Sequence, residues 1–230
     1  PGSLVGSEMC IRDRSCSGGL SSGTTAVFAP ATAQRRDEAV ETSQVTTYYS
    51  GAQPYDGIAD SLGSADFNED GYTDLIVGGS SIDETYIIYG GPNPNSGSVK
   101  DESRIISGAS STEFGVAIAT GDLDGDGIPE LALGAPRADD AAIDAGMVYL
   151  FDSVALESPA LDASNDAIAS ISGPTSSTKA QAGTSLAFAG DIDNDGYNDL
   201  LIGAPYHDGA ATNAGCLLYT SPSPRDFQVS

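Results

Sequence analysis

Apolar residues along this chain fall in short runs of four to seven, rich in Val, Ile, Leu and Tyr and bounded by Gly, Asp, Asn and Pro. Runs of that length with those boundaries predict strands, because a helix needs ten or more residues of period 3.6 to bury a face. In the middle of the chain the pattern places strands near Val116–Thr120, Leu131–Gly134, Met147–Phe151 and Ala167–Ile171.

That pattern repeats. Three nonapeptides, Asp66–Asp74 (DFNEDGYTD), Asp122–Glu130 (DLDGDGIPE) and Asp191–Asp199 (DIDNDGYND), each run directly into an apolar segment: LIVGGS, LALGAP and LLIGAP. Small-residue alternating segments precede them, clearest in FGVAIATG (Phe114–Gly121) and GTSLAFAG (Gly183–Gly190). A Ser-Gly element recurs upstream with its glycine at 51, 108 and 173, giving periods of 57 and 65 residues. Four short strands per period in a constant order predict an all-β chain built as a partial β-propeller, with one four-stranded antiparallel sheet per blade and about three blades in an incomplete ring. A sandwich with chance likeness among its loops does not account for the constant order.

Composition sharpens the picture at the loops. With 33 acidic against 9 basic residues the formal net charge is −24, which excludes phosphate-backbone binding and docking on an anionic membrane and makes cations the natural partners. No apolar run approaches the roughly 20 residues of a membrane span. Oxygen-bearing side chains stand at loop positions 1, 3, 5 and 9 with Gly at 6, and the backbone carbonyl of position 7 offers another oxygen. That describes a cage for Ca²⁺, which takes about six to eight oxygens in irregular geometry. The candidate ligands are Asp66, Asn68, Asp70, Tyr72 and Asp74; Asp122, Asp124, Asp126, Ile128 and Glu130; and Asp191, Asp193, Asp195, Tyr197 and Asp199. About three ions are expected, the first site being the weakest because Asn68 replaces a carboxylate. An EF-hand would need a bidentate Glu at position 12, where Val77, Leu133 and Ile202 stand inside predicted strands. A polar turn without an ion accounts for one such loop, but gathering like charges three times over is unfavourable without a cation.

The ends differ from the middle. Cys216–Asp226 (CLLYTSPSPRD) can be encoded by a DNA whose reverse complement, read from its third base, gives LVGSEMCIRD, which is Leu4–Asp13. This DNA resembles a transposase-type sequencing-library adapter. Residues 1–14 and 216–230 are therefore expected to be non-native read-through, 15–45 a flexible small-residue linker, and 46–215 the repeat region. Three acids and three bases lie in the end segments, so the charge of the remainder is unchanged. Cys16 alone of three cysteines then remains, and no disulfide framework or redox motif is expected. It lies in a segment resembling the one after the lipid-bearing cysteine of a bacterial lipoprotein. His207, the only histidine, has no placeable nucleophile or orienting acid beside it, and no nucleophile elbow or phosphate-cradling glycine loop is present.

The order FG, acidic loop, then GAP resembles the FG-GAP repeat of the integrin α-subunit propeller and of related surface proteins, over about Tyr48–Gly215. Phe114-Gly115 with Gly134-Ala135-Pro136 is intact; Ala182-Gly183 stands for FG before Gly203-Ala204-Pro205; and Asp56-Gly57 with Gly78-Gly79-Ser80 is degenerate. The resemblance implies structural Ca²⁺ in the hairpin between the first two strands of a blade, away from the ligand-binding loops. The functional expectation is a non-catalytic, calcium-loaded extracellular or cell-surface module, lipid-anchored or periplasmic locations included. It would hold a protein or glycan ligand through inter-strand loops and adjoin further blades. The alternative is the propeller portion of a secreted, phospholipase-like enzyme whose catalytic domain lies elsewhere. A calcium switch fits less well, since stacked sheets offer no bistable helix pair.

Overall fold

The computed structural model describes residues 24–27, 47–92, 96–140, 142–175, 179–209 and 211–220. The end segments 1–14 and 221–230 lie outside these, as do Cys16 and all of the expected linker except Thr24–Val27, which is a strand. In chain order the strands are β1 (Thr24–Val27), β2 (Thr47–Ser50), β3 (Ser61–Ala65), β4 (Asp74–Gly79), β5 (Glu84–Ile88), β6 (Gly97–Ser98), β7 (Arg104–Ser107), β8 (Ile118–Gly121), β9 (Glu130–Ala135), β10 (Met147–Phe151), β11 (Ala160–Asp162), β12 (Ala169–Ser172), β13 (Ser185–Phe188), β14 (Leu200–Ala204) and β15 (Cys216–Thr220). Two single helical turns, α1 (Val99–Glu102) and α2 (Ala163–Asp166), follow β6 and β11 directly. No helix among the described residues is long and apolar enough to cross a membrane.

The strands form sheets in the order β3-β4-β5-β7, β8-β9-β10-β12 and β13-β14-β15, each an antiparallel meander. The second contains all four strands expected for that repeat. β15 takes the third-strand place of the last sheet and is made of residues the sequence assigns to the non-native end. A fourth sheet holds β1, β2 and β6. The innermost strands β3, β8 and β13 lie side by side, which stacks the sheets face to face in chain order. Repeated antiparallel meanders stacked through their first strands have the arrangement of propeller blades.

The central strands β9 and β10 are buried on both faces, which is why their sequences read as unbroken apolar runs, whereas β14 buries only alternate residues. In β9 and β10, Leu131, Leu133, Tyr149 and Phe151 face Ile76, Ile87 and Ile106 of the preceding sheet. The alternate residues Ala132, Val148 and Leu150 face Leu200 and Ile202 of the next. The motif glycines form the seam between sheets. A Cβ on Gly134 would lie 2.1 Å from the Gly183 carbonyl oxygen, and one on Gly78 lies 2.2 Å from that of Gly115. The glycine of GAP in one blade thus admits the backbone of the FG glycine of the next. Phe114 plugs the core between them, edge-on to Tyr149 at 5.8 Å.

Two short strands depart from the simple meander. β11, in the connection between β10 and β12, pairs in parallel with β7, so the second blade supplies a fifth strand to the first blade's sheet. β6, in the connection between β5 and β7, pairs in parallel with β2 in the same manner.

Candidate metal centres

The three acidic loops join β3 to β4, β8 to β9 and β13 to β14, and they share one pattern of hydrogen bonds. The position-6 N–H donates to the position-1 carboxylate: Gly71 to Asp66 at 2.9 Å, Gly127 to Asp122 at 3.0 Å and Gly196 to Asp191 at 2.9 Å. The position-7 N–H of Tyr72, Ile128 and Tyr197 donates to Asp70, Asp126 and Asp195 at 2.8, 2.7 and 3.0 Å. The N–H of the residue after position 1 (Phe67, Leu123, Ile192) donates across the loop base to Asp74, Glu130 and Asp199 at 3.0, 2.5 and 2.6 Å. Gly127 and Gly196 hold φ of +93° and +99° with no atom within 4 Å of a Cβ. Backbone conformation, not crowding, requires glycine there.

Within this wiring, side chains at positions 1, 3 and 9 converge. Asp122, Asp124 and Glu130 have carboxylate oxygens all within 4.8 Å of one another, and so do Asp191, Asp193 and Asp199. Asp126 and Asp195 stand outside these groups; they accept from the N–H two residues on, as Asp124 and Asp193 also do from Asp126 and Asp195 N–H at 3.1 Å. The first loop forms no such group among the described residues. Asn68 there bonds Asp70 through both its amide nitrogen and its oxygen at 3.1 Å.

The position-9 carboxylates differ informatively. All three are buried, Asp74 and Glu130 as the first residue of the second strand and Asp199 just before it. Asp74 is held on both oxygens, by the N–H of Phe67 and by that of Gly90 at 2.8 Å. Burial pushes its pKa up, opposed by those two N–H groups and assisted by Asp66 and Asp70. Glu130 is pushed up to about 7, first by burial, against the Leu123 N–H, and further by Asp124, Asp126 and Asp122. Asp199 keeps its Oδ1 buried without a hydrogen-bond partner, while its Oδ2 accepts from Ile192 N–H and from the Tyr219 hydroxyl at 3.3 Å. A buried carboxylate oxygen without a donor, beside two further carboxylates, fits a bound cation. The donor set is all oxygen, which suits a hard ion such as Ca²⁺.

Sequence reasoning did not find Gly90, just beyond β5, and Tyr219, on β15, which act on these carboxylates from distant parts of the chain and carry no local signal. The third loop also rests on the second: Asn198 donates its amide to the Asp122 carbonyl, and the Tyr197 ring lies 3.6 Å from a Cβ built on Gly125. His207 follows β14 in the connection to β15, at the opposite end of the sheet from the third acidic loop.

The FG-GAP repeat family model matches residues 114–151 and 182–215. Among curated proteins, rat phosphatidylinositol-glycan-specific phospholipase D is 29% identical over 199 residues, 80% of this chain and 23% of the relative. The human phospholipase is 30% identical over 192 residues, 75% of this chain and 22% of the relative. Human integrin alpha-IIb is 35% identical over 102 residues, 40% of this chain and 9% of the relative. The chain therefore spans less than a quarter of the length of these proteins.

Proposed function

We propose, from the premise that this chain carries FG-GAP repeats and is distantly homologous to integrin α subunits and to phosphatidylinositol-glycan-specific phospholipase D, that it is a calcium-loaded binding module of an extracellular or cell-surface protein. The observation that carries this reading is the convergence of three carboxylates in each of two equivalent hairpins, one of them with an orphaned buried oxygen. Asp122, Asp124 and Glu130 would hold one ion, and Asp191, Asp193 and Asp199 another. Asp66, Asn68, Asp70 and Asp74 form the weakest site, since Gly90 and Phe67 already satisfy Asp74. The ion is structural: it relieves repulsion at the hairpin and ties the loop to the buried start of the second strand. Exposed loop cages of this kind bind Ca²⁺ at about 10⁻⁴–10⁻³ M, a range filled outside cells.

Ligand binding belongs to the opposite end of the sheets. In a meander the connections after the second strand lie at the other end from the first hairpin. There Ile143 and Tyr206 are exposed and available to a protein or glycan. The chain itself is not catalytic on this reading. A second reading, a non-catalytic propeller portion of a secreted phospholipase-like enzyme, draws support from phospholipase relatives that align over 75–81% of this chain.

Isothermal titration of the full chain tests the metal assignment. Asp124→Ala and Asp193→Ala should each remove one Ca²⁺ equivalent, and each should lower the calcium-dependent gain in stability, which is about 2.7 kcal/mol per site at a hundred times Kd. Unchanged stoichiometry in both variants would reject it.

A further inference from the structure

The two short parallel strands are the same device used twice. Counted from the Ser-Gly element, Ser50, Ser107 and Ser172 are equivalent last residues of β2, β7 and β12. On β7, Leu161 lies opposite Ile106 and Asp162 opposite Ser107. On β2, Gly97 lies opposite Tyr49 and Ser98 opposite Ser50. The registers coincide residue for residue. In both copies the next residue, Val99 or Ala163, opens a single helical turn and is fully buried. Ser98 and Asp162 hold the N-cap place, and the Asp162 side chain accepts from Ser164 N–H at 2.9 Å. The second copy is anchored further by Leu156, which is buried in the core and accepts from the Tyr89 hydroxyl at 3.1 Å. Each copy therefore closes the outer edge of the preceding blade with a strand and plugs its core with one apolar residue.

β12 is the third member of this series and the outer strand of its sheet among the described residues. It pairs with β10 in the register by which β7 pairs with β5: Met147 faces Ser172 as Glu84 faces Ser107. Yet Ile171, the counterpart of buried Tyr49 and Ile106, is only half-buried, and Ser170 and Ser172 are exposed. The periodicity puts the segment that would cover it after β15, past Thr220, outside the described residues.

We infer that the free edge of β12 is a docking site for a short strand-and-turn segment of a following repeat unit, bound in parallel. The segment places an apolar or small residue opposite Ile171, Ser or Asp opposite Ser172, and a small apolar residue next, opening one helical turn into the core. Backbone hydrogen bonds supply the attraction, and the buried side chain fixes the register, as in strand addition generally. This rests on the repeat architecture and the pairing registers, not on calcium.

Met147 and Cys216 occupy equivalent register places, opposite Ala135 and Ala204, so β10 and β15 end equivalently at Phe151 and Thr220. A chain in which residues 221–230 are replaced by a copy of residues 152–166 therefore presents the segment where the second blade presents it. Amide exchange at Ala169–Ser172, followed by NMR, should slow at least tenfold in that chain. A graft carrying Leu161→Asp and Ala163→Asp in the copied segment should not slow it. The free peptide of residues 152–166, added at millimolar concentration to the unaltered chain, should shift resonances of residues 169–172 and leave those of residues 104–107, whose edge is filled. Protection equal in both grafts, or peptide shifts spread over both edges, would overturn the inference, as would a graft and a peptide both without effect.

Discussion

Glu130 carries the electrostatics of the second acidic loop at a single side chain. Its pKa is pushed up to about 7 by burial and by Asp124, Asp126 and Asp122. A carboxyl whose folded pKa is raised contributes stability that is present below the unfolded value and lost as pH rises through the folded one. In chelator, therefore, wild type should lose stability relative to Glu130→Gln between about pH 4.5 and pH 7. Saturating Ca²⁺ should abolish that difference in slope, since the ion favours the charged form. Melting curves of both proteins at pH 5 and pH 8 check it; parallel pH profiles in chelator would refute it. The residue scale also marks how far the sequence could be read. Spacing named every residue of the two carboxylate groups, but it placed Asp126 and Asp195 on an equal footing with them. Asp124 and Asp193 accept from the amide two residues on just as Asp126 and Asp195 do, so neither spacing nor this local bond separates them, and only the folded positions of the carboxylate oxygens do.

Among elements, the glycine seam is the most sensitive join. Because a Gly134 Cβ would lie 2.1 Å from the Gly183 carbonyl oxygen, Gly134→Ala must push two sheets apart or strain both backbones. A loss of about 1–3 kcal/mol is expected, the usual range for overpacking. Gly127→Ala has open space and should cost only its backbone strain. Chemical denaturation of the two variants decides it, and equal losses would show that the seam yields. The strands flanking this seam were legible in sequence because each is a short apolar run between turn residues, as LALGAP becomes β9 and MVYLF becomes β10. β6 and β11 were not legible, being two and three residues long, too short for any alternation, with partners about 50 residues away. β1 was hidden for another reason: its four residues sit in a Gly- and Ser-rich stretch whose composition reads as a linker.

At the scale of the whole molecule, the stacked sheets form an array with two ends. No strand of the β1-β2-β6 sheet pairs with one of the β13-β14-β15 sheet among the described residues. The last sheet leaves Leu217 64% exposed, with Tyr219 and Tyr206 also open to solvent. Apolar faces and free edges of this kind associate, so the isolated 230-residue chain should show concentration-dependent self-association in sedimentation, and Leu217→Lys should reduce it. A compact monomer at every concentration in calcium would refute this. The parallel strand that each blade lends to its predecessor has a bearing on how such arrays can change length. A blade's sheet is not a self-contained piece of sequence, because its edge is finished by residues encoded one blade later. The array thus has a phase, as a reading frame does. Excising a whole period, from Gly51 to just before Gly108, would bring β11 to the edge of β2 and uncover no further edge, wherever in the period the cut is made. The completed five-stranded sheet, by contrast, runs from Ser61 to Asp162 and cannot be taken out as one segment without removing β8, β9 and β10 of the next blade.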